Sequence, residues 1–260
     1  MKGFISKTMI RLVLVAVFLI LFLILSVPVL LISWLIGKRH PGAVDLLLLR
    51  NVQLAFKAIL LLSGTHLTVI GEENVPTDTA VLYVGNHRSF FDIVITYARC
   101  PRLTGYVAKD SIKNVPLLSS WMTRLHCLFL NRDDIKEGLK TILTGIEQIK
   151  QGISMCIFPE GTRGTGADEL DMPPFKEGSL KMAEKTGCPI IPMALTGTAD
   201  IWENHFPWIH SAHVTLQYGE PIYPKELSKE EKKRLGNYTQ RKILDMLRQQ
   251  LKLPQSQETA

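Results

Sequence analysis

The chain opens with a long apolar run. Residues 12–36 are apolar except for Ser26 and Ser33. As one helix these 25 residues would extend about 37 Å, enough to cross a hydrocarbon core of about 30 Å. Pro28 lies inside the run and predicts a kink. The run is too long for a signal peptide, and no small-x-small cleavage site follows it. Lys2, Lys7 and Arg11 precede it, and Lys38 and Arg39 follow it. Both flanks therefore favour the cytoplasmic side. This predicts a helical anchor that dips into the bilayer and returns, with a single span (N-terminus outside) as the alternative. A second apolar stretch, residues 46–62, contains Arg50, Asn51, Gln53 and Lys57. Arg50 and Lys57 are seven apart and share a helix face, the pattern of a helix lying in the interface.

From residue 63 the pattern changes to short apolar runs alternating with helical periodicity. Strands are predicted at 67–70, 80–85, 103–108, 127–131, 153–158, 190–196 and 214–218. Several are continuous apolar runs, as in strands covered on both faces. Between 134 and 151, Ile135, Leu139, Ile142, Ile146 and Ile149 recur at helical spacing. A shorter helix over 178–186 ends at Gly187, a natural C-cap. Ser228 with Glu231 forms a capping-box signature for a C-terminal helix reaching about residue 251. The alternation predicts an α/β fold: a mostly parallel central sheet flanked by helices, with an N-terminal helical membrane anchor. The expected organisation is 1–62 anchoring helices, 63–253 an α/β catalytic domain, and 254–260 a frayed tail.

Charge narrows the partners. The 260 residues carry a formal net charge of +6, which suits an anionic membrane surface, phosphorylated substrates or nucleic acid. No zinc spacing, RNP-like aromatic pattern or basic block supports nucleic acid, whereas the apolar N-terminus supports a membrane. Cys100, Cys127, Cys156 and Cys188 are widely spaced without a CxxC pair. They read as reduced, buried thiols of a cytosol-facing domain. Cys127 is an acyl carrier in principle, but its apolar setting argues for an inert thiol.

The candidate chemistry begins at Asn86-His87-Arg88-Ser89-Phe90-Phe91-Asp92. It follows a predicted strand, where sites in open α/β sheets gather. His87 can take a proton from a hydroxyl near neutral pH, and Asp92 can fix its tautomer and stabilise the imidazolium. No serine completes a triad, so the nucleophile is inferred to be a substrate hydroxyl. A simpler account also fits the pair taken alone: Ser89 and Asp92 match a capping box, and His87 could be a satisfied core histidine.

A second run, Phe158-Pro159-Glu160-Gly161-Thr162-Arg163, directly follows another predicted strand. Gly161 permits close backbone approach, Thr162 offers a hydroxyl, and Arg163 offers a fork suited to phosphate. Glu160 could orient Arg163 or a substrate hydroxyl. The competing account is an ordinary charged turn. The run is not a P-loop, because Ala167-Asp168 stand where a lysine and a hydroxyl residue are needed.

In order along the chain, these runs resemble the glycerolipid acyltransferase family typified by 1-acylglycerol-3-phosphate acyltransferase. Residues 86–92 resemble its catalytic block and 158–163 its third block. Leu128-Phe129-Leu130-Asn131-Arg132 is similar to the second, except that His126-Cys127 replaces the usual small residue before it. Ile190-Ile191-Pro192-Met193-Ala194 is similar to the fourth, and Phe175-Lys176-Glu177-Gly178 to a Phe-Lys-x-Gly segment. The resemblance spans roughly residues 63–225. It implies acyl transfer from a thioester, acyl-CoA or acyl carrier protein, to a lysophospholipid hydroxyl, without metal or resident cofactor. It also implies His87 as general base, Asp92 as its partner, and Arg132, Glu160, Gly161, Thr162 and Arg163 around the glycerol-phosphate end. Two arginines favour 1-acyl-glycerol-3-phosphate as acceptor. Glycerol-3-phosphate, another lysophospholipid, or a non-enzymatic lipid-binding role are the competing readings. Lys109 and Lys176 read first as solvated surface lysines. The insertion 164–172 reads as a mobile loop. The enzyme would sit on a membrane with its catalytic domain facing the cytoplasm, the plasma membrane in a bacterium.

Overall fold

A computed structural model describes residues 2–40, 42–166 and 168–252; the tail expected at 254–260 lies outside them. Three helices come first: α1 (Lys2–Leu25), α2 (Val27–Arg39) and α3 (Asp45–Ser63). The expected single helix over 12–36 is therefore two helices. The break falls at Ser26, and Pro28 sits in the first turn of α2, where its missing N–H costs nothing. Ser26 is buried, and its hydroxyl accepts a 2.8 Å hydrogen bond from Trp121 Nε1. That tie holds the junction against the rest of the protein.

The remainder is an α/β sandwich. Its elements are β1 (His66–Ile70), β2 (Leu82–Gly85), α4 (Phe90–Tyr97), β3 (Thr104–Lys109), α5 (Leu118–Arg124), β4 (Leu128–Leu130), α6 (Ile135–Lys150), β5 (Ser154–Ile157), α7 (Lys181–Thr186), β6 (Ile190–Thr196), β7 (His213–Tyr218), α8 (Lys229–Lys233) and α9 (Leu235–Lys252). All seven predicted strands are present, with ends displaced by at most two residues. They form one sheet in the order β1-β7-β6-β2-β5-β3-β4. Every neighbouring pair is parallel except β6 with β7.

Alternation along the strands divides the core in two. Val81 and Tyr83 face a front cluster that includes Ile59 of α3, Ile95 of α4 and, at its margin, Leu12, Val15 and Phe22 of α1. Leu82 and Val84 face a back cluster with Ile146 of α6, Met182 of α7 and Ile243 of α9. α6 is capped by Asp134, whose side chain accepts from the backbone of Lys136 and Glu137. α7 ends at Gly187 in the left-handed conformation, φ +74°, as its sequence predicts.

The C-terminal helix departs from expectation. Ser228 and Glu231 do form a capping box, but the helix breaks at Arg234 and restarts as α9. The restart buries Leu235, and the Glu177 carboxylate accepts from the backbone N–H groups of Gly236 and Asn237. A distant carboxylate thus caps a helix that local sequence alone would have continued.

Candidate active site

β2 and β5 are parallel neighbours, with Tyr83 opposite Cys156 and Val84 opposite Ile157. Two runs more than seventy residues apart in sequence therefore leave the sheet side by side, at the C-terminal ends of adjacent strands. Asn86 secures the first exit. Its Nδ2 donates to the Leu195 carbonyl and its Oδ1 accepts from Leu195 N, both at 2.8 Å.

The next turn builds a compact corner. Asp92 is fully buried. Its Oδ2 accepts from His87 Nδ1 at 2.8 Å, Arg88 N at 2.7 Å and Ser89 N at 2.8 Å. Its Oδ1, also buried, has no partner among the described residues. Ser89 Oγ accepts from Phe91 N, which completes the capping box. The carboxylate therefore caps α4 and contacts the histidine at once; the two accounts of the pair are compatible. An ionised carboxylate is an acceptor only, so Nδ1 carries the proton and Nε2 keeps the lone pair. Nε2 has no hydrogen-bond partner among the described residues, and the side chain is 16% exposed. The ring stacks on Phe158 with centroids 4.4 Å apart.

The second run clamps the backbone of His87. Glu160 Oε1 accepts from His87 N at 2.7 Å, and Gly164 N donates to the His87 carbonyl at 2.8 Å. Glu160 is 5% exposed. Burial pushes its carboxyl up to about 7; the His87 N–H opposes the rise and the Asp92 charge adds to it. Glu160 does not orient Arg163, contrary to one sequence expectation. The reason is depth: its side chain turns inward to a backbone donor, whereas the partner of Arg163 comes from another loop.

That partner is Glu203. Its Oε1 accepts from Arg163 Nη1 at 2.9 Å and from Phe90 N at 2.9 Å, and its Oε2 accepts from Ser89 Oγ at 2.6 Å. The guanidinium lies 3.9 Å over the Phe90 ring, a stacked placement that suits arginine. Glu203 joins the two runs, and sequence reasoning missed it. An acidic residue in the loop after β6, forty positions beyond Arg163, carries no local signature.

Phe158, Pro159 and Gly161 of the second run line a groove, whereas Thr162 and Arg163 are not part of its wall. Gly161 has φ +80°, and a Cβ there would lie 2.9 Å from Lys176 Nζ. The left-handed backbone favours glycine here, and the flexible end of the lysine lies against it. Gly161, Lys176 and Arg132 line one groove of about 810 Å³, with apolar walls from Leu139, Ile142 and Phe158. Phe158 is shared: one ring backs His87 and lines the groove. Arg132 is exposed and forms no ion pair among the described residues. Thr162 is exposed as well. Lys109 ends β3 as an exposed residue, in keeping with a solvated surface lysine. Lys176, although exposed, lies against Gly161 and so has a more particular position than that reading gave it.

The insertion 164–172 is tethered. Arg88, 7% exposed, donates to the carbonyls of Asp168 and Gly166. Glu169 Oε1 accepts from Gly197 N at 2.8 Å, and Gln240 Nε2 donates to the Met172 carbonyl. The four cysteines are free thiols. Burial pushes the Cys127 thiol up to about 12, so it stays protonated and poorly nucleophilic.

A family model described as Acyltransferase matches residues 66–196. The 1-acyl-sn-glycerol-3-phosphate acyltransferase of Borreliella burgdorferi is 32% identical over 194 residues, covering 74% of this chain and 75% of that one. The enzyme of the same name from Saccharomyces cerevisiae is 28% identical over 219 residues, covering 84% and 69%. The crystal structure of PlsC, the 1-acyl-sn-glycerophosphate (LPA) acyltransferase of Thermotoga maritima, superposes with a TM-score of 0.82 at 23% identity, covering 96% of this chain and 99% of that chain. That likeness shows the fold.

Proposed function

The chain belongs to the acyltransferase family, and we propose that it makes phosphatidic acid by acylating the sn-2 hydroxyl of 1-acyl-glycerol-3-phosphate. The donor is an acyl thioester. His87 Nε2 takes the hydroxyl proton as the oxygen bonds to the thioester carbonyl carbon. The carbon–sulfur bond then breaks, and the leaving thiolate takes the proton from the imidazolium. Asp92, hydrogen-bonded to Nδ1, orients the ring and stabilises its cation. The single observation carrying this reading is the His87–Asp92 hydrogen bond, which leaves the lone pair on the ring nitrogen that has no partner among the described residues.

Arg132 and Arg163 hold the phosphate, the latter through its planar fork. Gly161 and Thr162 supply backbone and hydroxyl contacts near the glycerol. Glu160 acts at one remove, setting the backbone of His87. Residues 1–62 anchor the protein and 63–253 carry the chemistry. Two helices, Lys7–Leu25 and Asp45–Ser63, are long and apolar enough to cross a membrane, but each lays one face on the front core. That favours a layer seated in one leaflet, with the catalytic domain on the cytoplasmic side. The acceptor then arrives from the lipid and the soluble donor, acyl-CoA or acyl carrier protein, from the water.

Mass spectrometry of products from the purified full chain tests this. With 1-acyl-glycerol-3-phosphate and each donor in turn, phosphatidic acid is expected, and the donor that supports it is thereby assigned. Acylation of glycerol-3-phosphate or of a lysolipid with another head group, with none of 1-acyl-glycerol-3-phosphate, would overturn the acceptor assignment.

A further inference from the structure

The loop between β6 and β7 does more than supply Glu203. Its neck is closed where His210 N donates to the Ile201 carbonyl at 2.8 Å, and Ile201 and Ile209 are buried in the front core. Between these points the chain carries Trp202, Phe206 and Trp208, and the first two line up with Phe90 of α4. Phe206 is 72% exposed, Phe90 46% and Trp208 38%. Trp202 lies between two of them, with centroids 5.7 Å from Phe90 and 5.6 Å from Phe206. Single exposed apolar residues are ordinary, but a contiguous aromatic patch marks a surface that meets something.

Its neighbour indicates what it meets. The hydroxyl of Ser211, just past the loop, donates to the Gly64 carbonyl at the end of α3. Arg11 of α1 packs at the same point: a Cβ on Gly64 would lie 3.0 Å from Arg11 Nε and 3.1 Å from Ser211 Oγ. From there the outer side of α1 continues through Ile10, Val13, Leu14 and Val17, each 45–53% exposed. Leu61 at the end of α3 is 80% exposed. The base of the loop thus abuts α1 and α3 at Gly64, and its rings reach the mouth of the site, where the guanidinium of Arg163 covers Phe90. Tryptophan rings with arginine and histidine beside an apolar face compose the chemistry of a membrane–water interface.

We infer that residues 199–210 form a second membrane-docking element, which seats Trp202, Phe206 and Trp208 in the interfacial zone of a lipid bilayer and holds the mouth of the site against the surface bearing the acceptor. The inference rests on the proposed membrane seating of α1–α3. It ties recognition to delivery, because the loop that touches lipid also carries the carboxylate that holds Arg163.

Two measurements on the full chain test it. In a Trp34→Phe chain reconstituted into phosphatidylcholine–phosphatidylglycerol vesicles, acyl-brominated lipid should quench part of the indole emission. That quenching should fall when Trp202→Phe and Trp208→Phe are added, leaving at most the share of Trp121 beside α1. Unquenched emission before that addition, or quenching that the addition leaves undiminished, overturns the inference. The double variant Phe206→Ser/Trp208→Ser should lose about tenfold in rate on vesicle-presented 1-acyl-glycerol-3-phosphate, the order expected from removing two partly buried rings. It should keep its rate on a short-chain monomeric acceptor. Equal losses on both acceptors would instead show damage to the site and overturn the inference. Absence of turnover by the unaltered chain would sink the functional reading, while quenching would still decide the role of the loop.

Discussion

The two halves of the site are built in opposite ways. The His87–Asp92 corner is buried and assembled almost entirely from seven consecutive residues, with three donors converging on one Asp92 oxygen. The Arg163 arm is partly open, its side chain 37% exposed, and its only ion-pair partner among the described residues is a carboxylate forty positions away. Under the proposed roles, the difference is a division of labour. A proton-transfer group gains from rigid geometry and a fixed tautomer, so a capping box suits it. A group that grips a mobile phosphate gains from access to solvent and a partner that can be exchanged for the ligand.

Breaking the corner should have the largest effect. His87→Ala should lower kcat by about 10³–10⁴, the upper part of what general-base catalysis contributes, with the thermal transition little changed. Asp92→Asn should cost somewhat less, about 10³, since an amide can still accept from the backbone but no longer stabilises the imidazolium. Steady-state kinetics with circular dichroism checks both. Retained turnover in either variant would remove the corner from the chemistry.

Breaking the arm should show mainly in binding. Arg163→Ala should raise KM for the acceptor by about 10–100-fold, the range for a charge-assisted hydrogen bond to phosphate, with a smaller change in kcat. An unchanged KM would refute its assignment. Glu203→Gln should have a smaller effect, about two- to fivefold in KM, because the pair it loosens is partly exposed. A kcat loss in that variant as deep as in Asp92→Asn would mean that Glu203 belongs to the corner instead.

Glu160 gives the smallest and most selective test. Its carboxyl, raised to about 7 by burial, is protonated more readily in the folded chain than in the unfolded one. Folding stability linked to it is therefore full below the ordinary carboxylate value and falls as pH rises toward and past about 7, by on the order of 3 kcal/mol in all. Glu160→Gln should flatten that fall and leave the His87 backbone contact in place. Denaturant titrations between pH 4.5 and 7.5 check this; an unaltered slope would place the titration elsewhere.

Some of this was legible in the sequence and some was not, for reasons that differ by residue. The apolar runs of β2, β5 and β6 marked central strands because strands buried on both faces need no alternation. Ser89 and Asp92 marked a helix start because a capping box is local chemistry. The break at Ser26 was expected near Pro28 as a kink, since a proline disturbs its own neighbourhood, but its depth depended on Trp121. The break at Arg234 carried no warning, because the Glu177 cap lies nearly sixty residues upstream. Glu203 was invisible for the same reason.

By itself, then, the sequence determined the residues with chemical capacity, the apolar N-terminal layer, the strands, and the corner in which histidine and aspartate meet. Each of these depends on composition or on neighbours within a few positions. Only the tertiary structure decided that the two runs lie side by side, that Glu160 serves the backbone of His87 while Glu203 holds Arg163, and that an aromatic loop adjoins α1. Those facts follow from the pairing of β2 with β5 and from the path of the chain between β6 and β7, and no local rule encodes contacts across such distances.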